Sequence, residues 1–440
     1  MHSVVDFSNV FVIIFLVGST VSFIVNHVLE AIDYRSRIKN GGVVPEILRK
    51  YPESEVFDKE KLKRITEYEN AKYFSWIPYS ILTFALKILL VIFGFYVFLY
   101  NLLVSWFGEP TTVGRMFLCF FVFSFLSGIP DSIIDIPYSL YKEFKLEKRF
   151  GFSNMTFKLW LMDGIKNLIL SGLLAVMLTG IASLLFISCE SYWWAVIAGI
   201  MMVFIFVMNI IYPKFIAPIF NKFQPLEEGE LRTRLEAMLA KAGFSSDGLF
   251  VMDASRRSGH SNAYFTGFGK AKRIVLYDTL IKSLTVDEIE SVMAHEVGHY
   301  KLKHIMRRMI SRFPLILVGA YVLFVFAHVE SLYTGFGFTA ASLTALQFIG
   351  IELVLKVFSS MSLLVKPVTS ILSRKDEYAA DRYSAKLCKT GKPLVTALIK
   401  LNSENLHELV PPKIYSFFHY SHPTLVERTM ALEAIEGKLK

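Results

Sequence analysis

The sequence predicts a mainly α, polytopic membrane protein, and three observations carry that fold class. Of 440 residues, 53% are hydrophobic and 39 are Phe, and the mean hydropathy of +0.46 is well above that of an ordinary soluble domain. The apolar residues fall into runs long enough to cross a hydrocarbon core of about 30 Å. Lys and Arg gather in the loops between some of these runs and avoid others, as in a protein with one basic membrane face. The net charge of +9 therefore reads as membrane topology, and no nucleic-acid partner is expected.

Seven segments meet the length requirement: residues 10–32, 74–103, 116–136, 165–187, 193–216, 313–329 and 340–365. The first has no basic flank before it and no small-residue cleavage site after it, so it reads as a retained span rather than a signal peptide. The loop after span one carries Arg35, Arg37, Lys39 and seven more Lys or Arg up to Lys72. The loop after span three carries Lys142, Lys145, Lys148, Arg149 and Lys158, whereas the loops after spans two, four and six carry almost none. The N-terminus is then outside and the C-terminus inside. The expected organisation is residues 1–216 as five spans with their loops, 217–312 as the first part of a cytosolic domain, 313–365 as spans six and seven, and 366–440 as its second part. Two soluble pieces separated by a membrane hairpin can meet only when they share a side, and here they do. Cys119, Cys189 and Cys388 are far apart, which argues against a disulfide framework or a thiolate metal site.

Within the first soluble piece, 228–242 reads as a charged helix ended by Gly243. Leu249–Met252 and Arg273–Tyr277 read as strands, and the Gly- and aromatic-rich 259–269 as an edge strand or loop. Next comes Ala294-His295-Glu296-Val297-Gly298-His299. On a helix His295 and His299 lie one turn apart on the same face, so both imidazoles can reach one metal ion. Glu296 lies beside them, placed to take a proton from a water on that ion. Thr285 is the expected N-cap, with Glu288 completing a capping box.

A catalytic zinc needs a third protein ligand and leaves its fourth position open. Glu377 is the candidate. Asp381, one turn further along the same face, could hydrogen-bond the outer nitrogen of a ligand histidine, although a solvated charged helix is the plainer reading of this stretch. In the tail, His422 could hydrogen-bond an oxyanion or merely cap the helix that follows Pro423. Arg428, assigned to the substrate side, could pair with a site carboxylate.

Taken together, Gly259-His260-Ser261-Asn262-Ala263-Tyr264-Phe265, His295-Glu296-Val297-Gly298-His299, Glu377-Tyr378-Ala379-Ala380-Asp381 and Ser421-His422-Pro423 resemble the zinc-dependent type I CAAX prenyl endopeptidases. Leu146-Glu147-Lys148-Arg149-Phe150-Gly151-Phe152-Ser153 and the stretch from Pro213 to Phe223 extend the likeness from about residue 30 to the C-terminus. The resemblance implies one Zn²⁺ on His295, His299 and Glu377, with Glu296 activating water. It implies that Asp381 supports the ligands or donates a proton, that Asn262 and Ala263 align the substrate backbone, and that His422 faces the transition state. It also implies seven long helices around a large chamber, closed by a gluzincin-like domain with a small β element. The expected activity is removal of the C-terminal tripeptide from prenylated CAAX proteins or peptides, with the lipid bilayer as the other partner. The expected location is the endoplasmic reticulum membrane in a eukaryote or the inner membrane in a bacterium.

Two other readings are a membrane zinc protease for quality control of unprenylated proteins, and a non-enzymatic transporter or channel with a structural metal. Intramembrane charges, Glu352 with Lys356 and Asp131 with Asp135, each pair one turn apart, fit a water-filled interior.

Overall fold

The structure, a computed structural model, describes residues 5–244, 248–266, 273–339 and 343–439. Helices of twelve residues or more are numbered in chain order. The first half is a series of long apolar helices: α1 (Val10–Asn40), α2 (Lys59–Ile92), α3 (Phe95–Phe107), α4 (Val113–Ser127), α5 (Ile129–Tyr141), α6 (Phe157–Ser188) and α7 (Trp193–Ile211). The second half runs β1 (Phe223–Pro225), α8 (Glu230–Lys241), β2 (Leu249–Met252), β3 (Ala263–Thr266) and β4 (Arg273–Tyr277). It continues with α9 (Val286–Lys301), α10 (His304–Ala327), α11 (Leu343–Ser359), α12 (Ser362–Leu387), α13 (Lys392–Glu404) and α14 (Leu425–Leu439).

Among the described residues, six helical runs are long and apolar enough to cross a membrane, and a seventh is added if the bent pair α11 and α12 counts as one. Three of the expected spans differ in detail. The span over 74–103 is broken: Gly94 sits at φ +67°, a left-handed conformation that glycine adopts without steric cost. That turn ends α2 and starts α3. The span over 313–329 is the end of a longer run, because α10 begins at His304 and follows α9 after only Leu302 and Lys303. The last span begins among undescribed residues, and its described part bends by 68° between α11 and α12. At that bend the Ser22 hydroxyl of α1 donates to the Ser360 carbonyl (2.7 Å), and the Ser360 hydroxyl donates to the carbonyl of Val357 (2.6 Å).

Large apolar side chains such as Leu168, Leu173, Val203 and Leu364 stand exposed around the bundle, a surface that only lipid can cover. Inside it lies a chamber of about 790 Å³, lined among others by Phe23, Trp76 and Lys87. Of the four charges expected there, Asp131, Asp135 and Lys356 line the chamber and Glu352 does not.

At one end of the bundle a single apolar core draws on both C-terminal pieces, with Leu235, Ile289 and Met293 from the first and Ala385, Ala397 and Leu432 from the second. Leu48, Phe57, Tyr68, Phe150 and Phe152, all from the basic loops after spans one and three or from the start of α2, pack into that same core. A four-stranded sheet of order β1-β2-β4-β3 flanks it, with β2 parallel to β4 and the other pairs antiparallel. β3 is therefore an edge strand, as the 259–269 segment suggested, although residues 267–269 lie outside the described residues. β1, three residues ending in a proline, carries no strand signature of its own.

Candidate metal centre

α9 starts as its sequence dictates. The Thr285 hydroxyl accepts from the Glu288 backbone, and the Glu288 carboxylate accepts from the Thr285 N–H at 2.8 Å, closing the capping box. Its apolar residues enter the core and its histidines turn toward α12. The two helices approach closely at Gly298. A side chain there would meet Ala380 Cα at 3.2 Å and Tyr383 Cβ at 3.1 Å, so even a methyl group would push the helices apart by a few tenths of an ångström. The Ser384 hydroxyl adds a 2.7 Å hydrogen bond to the carbonyl of Ser291.

That approach brings Glu377 onto the two imidazoles. His295 Nε2 and His299 Nε2 are 3.1 Å apart, and each lies 3.4 Å from an oxygen of Glu377. Three donors in tetrahedral positions around one ion, with bonds of about 2.0–2.1 Å, sit roughly 3.3–3.4 Å from one another. The donor set, two imidazoles and a carboxylate, therefore fits a single metal ion with a fourth position left over. It is the group of potential metal ligands found among the described residues.

Both imidazoles are held from behind. His295 Nδ1 lies 2.8 Å from Asp381 Oδ1, and Arg428 clamps that carboxylate with two bonds of 2.5 and 2.9 Å. Asp381 is fully buried and the Arg428 side chain only 11% exposed. Burial opposes the charge on Asp381, but Arg428 and His295 outweigh it and hold the carboxyl down at about 2. An ionised Asp381 can only accept, so His295 carries its proton on Nδ1 and turns Nε2 toward the metal position. Sequence reasoning grouped Asp381 with the catalytic residues and Arg428 with the substrate. Here both stand behind His295, Arg428 at the border of the cleft.

The second imidazole has a support that sequence reasoning missed. His299 Nδ1 lies 2.9 Å from Nδ1 of His304, whose Nε2 lies 3.8 Å from buried Asp376. Asp376 is paired in turn with Arg307 and, at 2.8 Å, with Arg308. Replacing His304 with alanine is expected to weaken metal binding by about 10- to 100-fold, as for other outer-sphere partners. Chelator competition measures this, and affinity unchanged within twofold would reduce His304 to a packing role.

α9 and the second half of α12 lie in this terminal domain, outside the membrane-crossing lengths. Burial is the main influence on Glu296 and raises its carboxyl above the usual range, against the pull of His295 and His299. Glu377 is pushed the other way: burial would raise it, but its two histidine partners overcome that and keep it ionised. In the metal-free protein, burial disfavours the His295 cation, yet the bonds to Asp381 and Glu377 prevail and lift it to about 9.

A cleft of about 510 Å³ lies beside the donors, bordered by Asn262 and Tyr420, and by His422 and Arg428, which reach Glu377 and His295 from its wall. His422 is 64% exposed, with Nε2 3.6 Å from Glu377 Oε1. It does not cap the next helix. Thr424 does, in a second capping box with Glu427. Ala263 begins the edge strand with Asn262 just before it, and Asn405 anchors the preceding turn through His260 Nδ1 (3.0 Å) and the Ser261 N–H (3.2 Å). His260 stacks on Phe152 at 4.1 Å and lies 3.6 Å from Glu147, which ties the Leu146–Ser153 motif to the site.

Comparison with known proteins agrees with this architecture. Residues 225–436 match the model of peptidase family M48, and residues 34–222 match the one described as CAAX prenyl protease N-terminal, five membrane helices. CAAX prenyl protease 1 of Saccharomyces cerevisiae is 39% identical over 340 residues, covering 73% of each chain. The CAAX prenyl protease 1 homolog of Dictyostelium discoideum is 35% identical, covering 89% of this chain and 90% of its own. The crystal structure of S. mikatae Ste24p superposes with a TM-score of 0.85 at 30% identity, over 96% of this chain and 98% of that one. Matched over most of its length by these models and relatives, the chain belongs to the CAAX prenyl protease 1 family, within peptidase family M48, and is a membrane metalloendopeptidase.

Proposed function

We propose that this chain removes the C-terminal tripeptide from prenylated CAAX proteins, using a zinc ion held by His295, His299 and Glu377 on the cytosolic side of its membrane. The observation that carries this reading is the set of three donors at tetrahedral spacing with Glu296 beside them. Two imidazoles, one carboxylate and an open fourth position suit catalytic zinc. The names of the relatives supply the substrate class. The cytosolic side is supported by the Lys- and Arg-rich loops, which pack into the same core as the helices that carry the candidate donors.

When bound, zinc polarises the scissile carbonyl and makes water a nucleophile near neutral pH. Glu296 takes the proton from that water and passes it to the leaving amine; its raised pKa suits both steps. His422, on the open side of the donors, donates to the oxyanion. β3 offers its free edge to the substrate backbone, with Asn262 and Ala263 at the point of entry. Asp381 with Arg428, and His304 with Asp376, hold the two imidazoles in register.

The test is cleavage of a farnesylated CAAX peptide by the purified chain in nanodiscs. Release of the tripeptide should be blocked by a chelator and restored by Zn²⁺. Cleavage of an unprenylated membrane protein with the farnesylated peptide left intact would replace this reading with quality-control proteolysis. A metal-replete sample that releases no tripeptide from the farnesylated peptide would overturn the proposal.

A further inference from the structure

On the proposed reading, the isoprenoid sits on the cysteine next to the bond that is cut, so its seat must lie close to the metal cleft. α2 passes between three cavities near that cleft. Glu69 and Lys72 line the cleft itself, whereas Trp76, Ser80 and Thr83 line the chamber. Ala71, Phe74, Pro78 and Leu82 line a third cavity, a groove of about 690 Å³ between α2 and α5. At about 100° per residue these sets occupy different faces of one helix. Lys72 and Ala71 are consecutive, so the groove and the cleft are separated by little more than one helix, roughly 10 Å across.

From α5 the groove takes Ile133, Pro137 and Tyr138. Its walls are mostly apolar, with Arg149 the one charged residue among them, and open outward, with Phe74 and Leu82 more than half exposed and Ile133 68% exposed. Pro78 and Pro137 cannot donate to the carbonyls of Phe74 and Ile133 one turn back. The inner wall is a single aromatic pair: Tyr79 stacks on Tyr138 with centroids 4.0 Å apart, and the Tyr79 hydroxyl donates to Asp135 at 2.9 Å. Tyr79 lines both the groove and the chamber. The volume is of the size that seats one small ligand, within roughly 300–1,000 Å³.

The geometry points to the α2–α5 groove as the seat of the substrate's isoprenoid chain. A chain lying there is solvated by bilayer on one side and by protein on the other, and its cysteine end emerges beside the helix turn that borders the metal cleft. An acyl chain of bulk lipid could fill the same volume but gains nothing from that adjacency. The proposal rests on the prenyl-protease reading, and its test separates the two.

A farnesylated peptide bearing a diazirine at the far end of the isoprenoid, photolysed with the full-length protein in nanodiscs, should label α2 and α5 residues of the groove. Labelling of chamber residues such as Phe84, or a pattern identical to that of a diazirine fatty acid, would overturn the assignment whether or not the peptide is cleaved. In parallel, Leu82→Trp and Ile133→Trp, at lipid-facing positions that tolerate a large side chain, should each raise KM for the farnesylated peptide about tenfold. Their kcat, bound metal and KM for the unprenylated peptide should not change. An unchanged KM ratio in both variants counts against the groove, whereas failure of the wild type to cleave the farnesylated peptide would count against the prenyl-protease reading alone.

Discussion

Replacing Glu296 with glutamine is expected to lower turnover by about a hundred- to ten-thousandfold, the usual loss when a positioned proton-transfer group is removed. Metal content and folding should be unchanged. Glutamine keeps the size of the side chain, and α9 holds that position by its capping box and by Gly298 packing on α12. Only the ability to accept a proton is lost. Burial raises the Glu296 carboxyl above the ordinary range, which favours its holding a proton between taking it and returning it. The measurements are kcat/KM on a farnesylated peptide together with metal per chain in the same sample. A variant within tenfold of wild type, fully metallated, would remove Glu296 from the mechanism.

Glu377→Ala is expected to act one step earlier, on the metal itself. Glu377 is the one candidate donor from the C-terminal piece among the described residues, and His295 and His299 alone would leave two positions to solvent. Affinity should fall by more than about a hundredfold, beyond the range of an outer-sphere change such as Asp381→Asn. A metal that binds only the folded chain raises its melting temperature. Adding chelator should therefore lower the melting temperature of the wild type and leave that of Glu377→Ala unmoved. A variant that still binds one metal ion per chain with wild-type affinity would mean that the donor lies elsewhere.

What could be read from the sequence was whatever local rules decide. The capping box, the i and i+4 histidines, the Glu377 and Asp381 pair and the apolar runs are all short-range patterns, and each recurs in the fold. His304 was invisible for a definite reason. On an unbroken helix a residue five positions after His299 points about 140° away from it. It meets His299 because Lys303 takes a left-handed turn, φ +56°, which starts α10 on a new bearing. Nothing in Lys301-Leu302-Lys303 announces that turn, since lysine rarely adopts it. The break at Gly94 and the 68° bend after Ser359 escaped for the same reason: hydropathy records the length of a span and not its straightness. The packing of the basic loops into the metal domain depends on contacts between residues far apart in the chain, such as Phe152 with His260.

The short junction of Leu302 and Lys303 between α9 and α10 has a mechanical corollary, because α12 is likewise the outward continuation of α11 across a bend. Each of the two helices that carry metal donors is thus anchored in the bilayer at one end. On their flanks both pack into the terminal core, so a tilt of the membrane hairpin would load that core before it could part the imidazoles from the carboxylate.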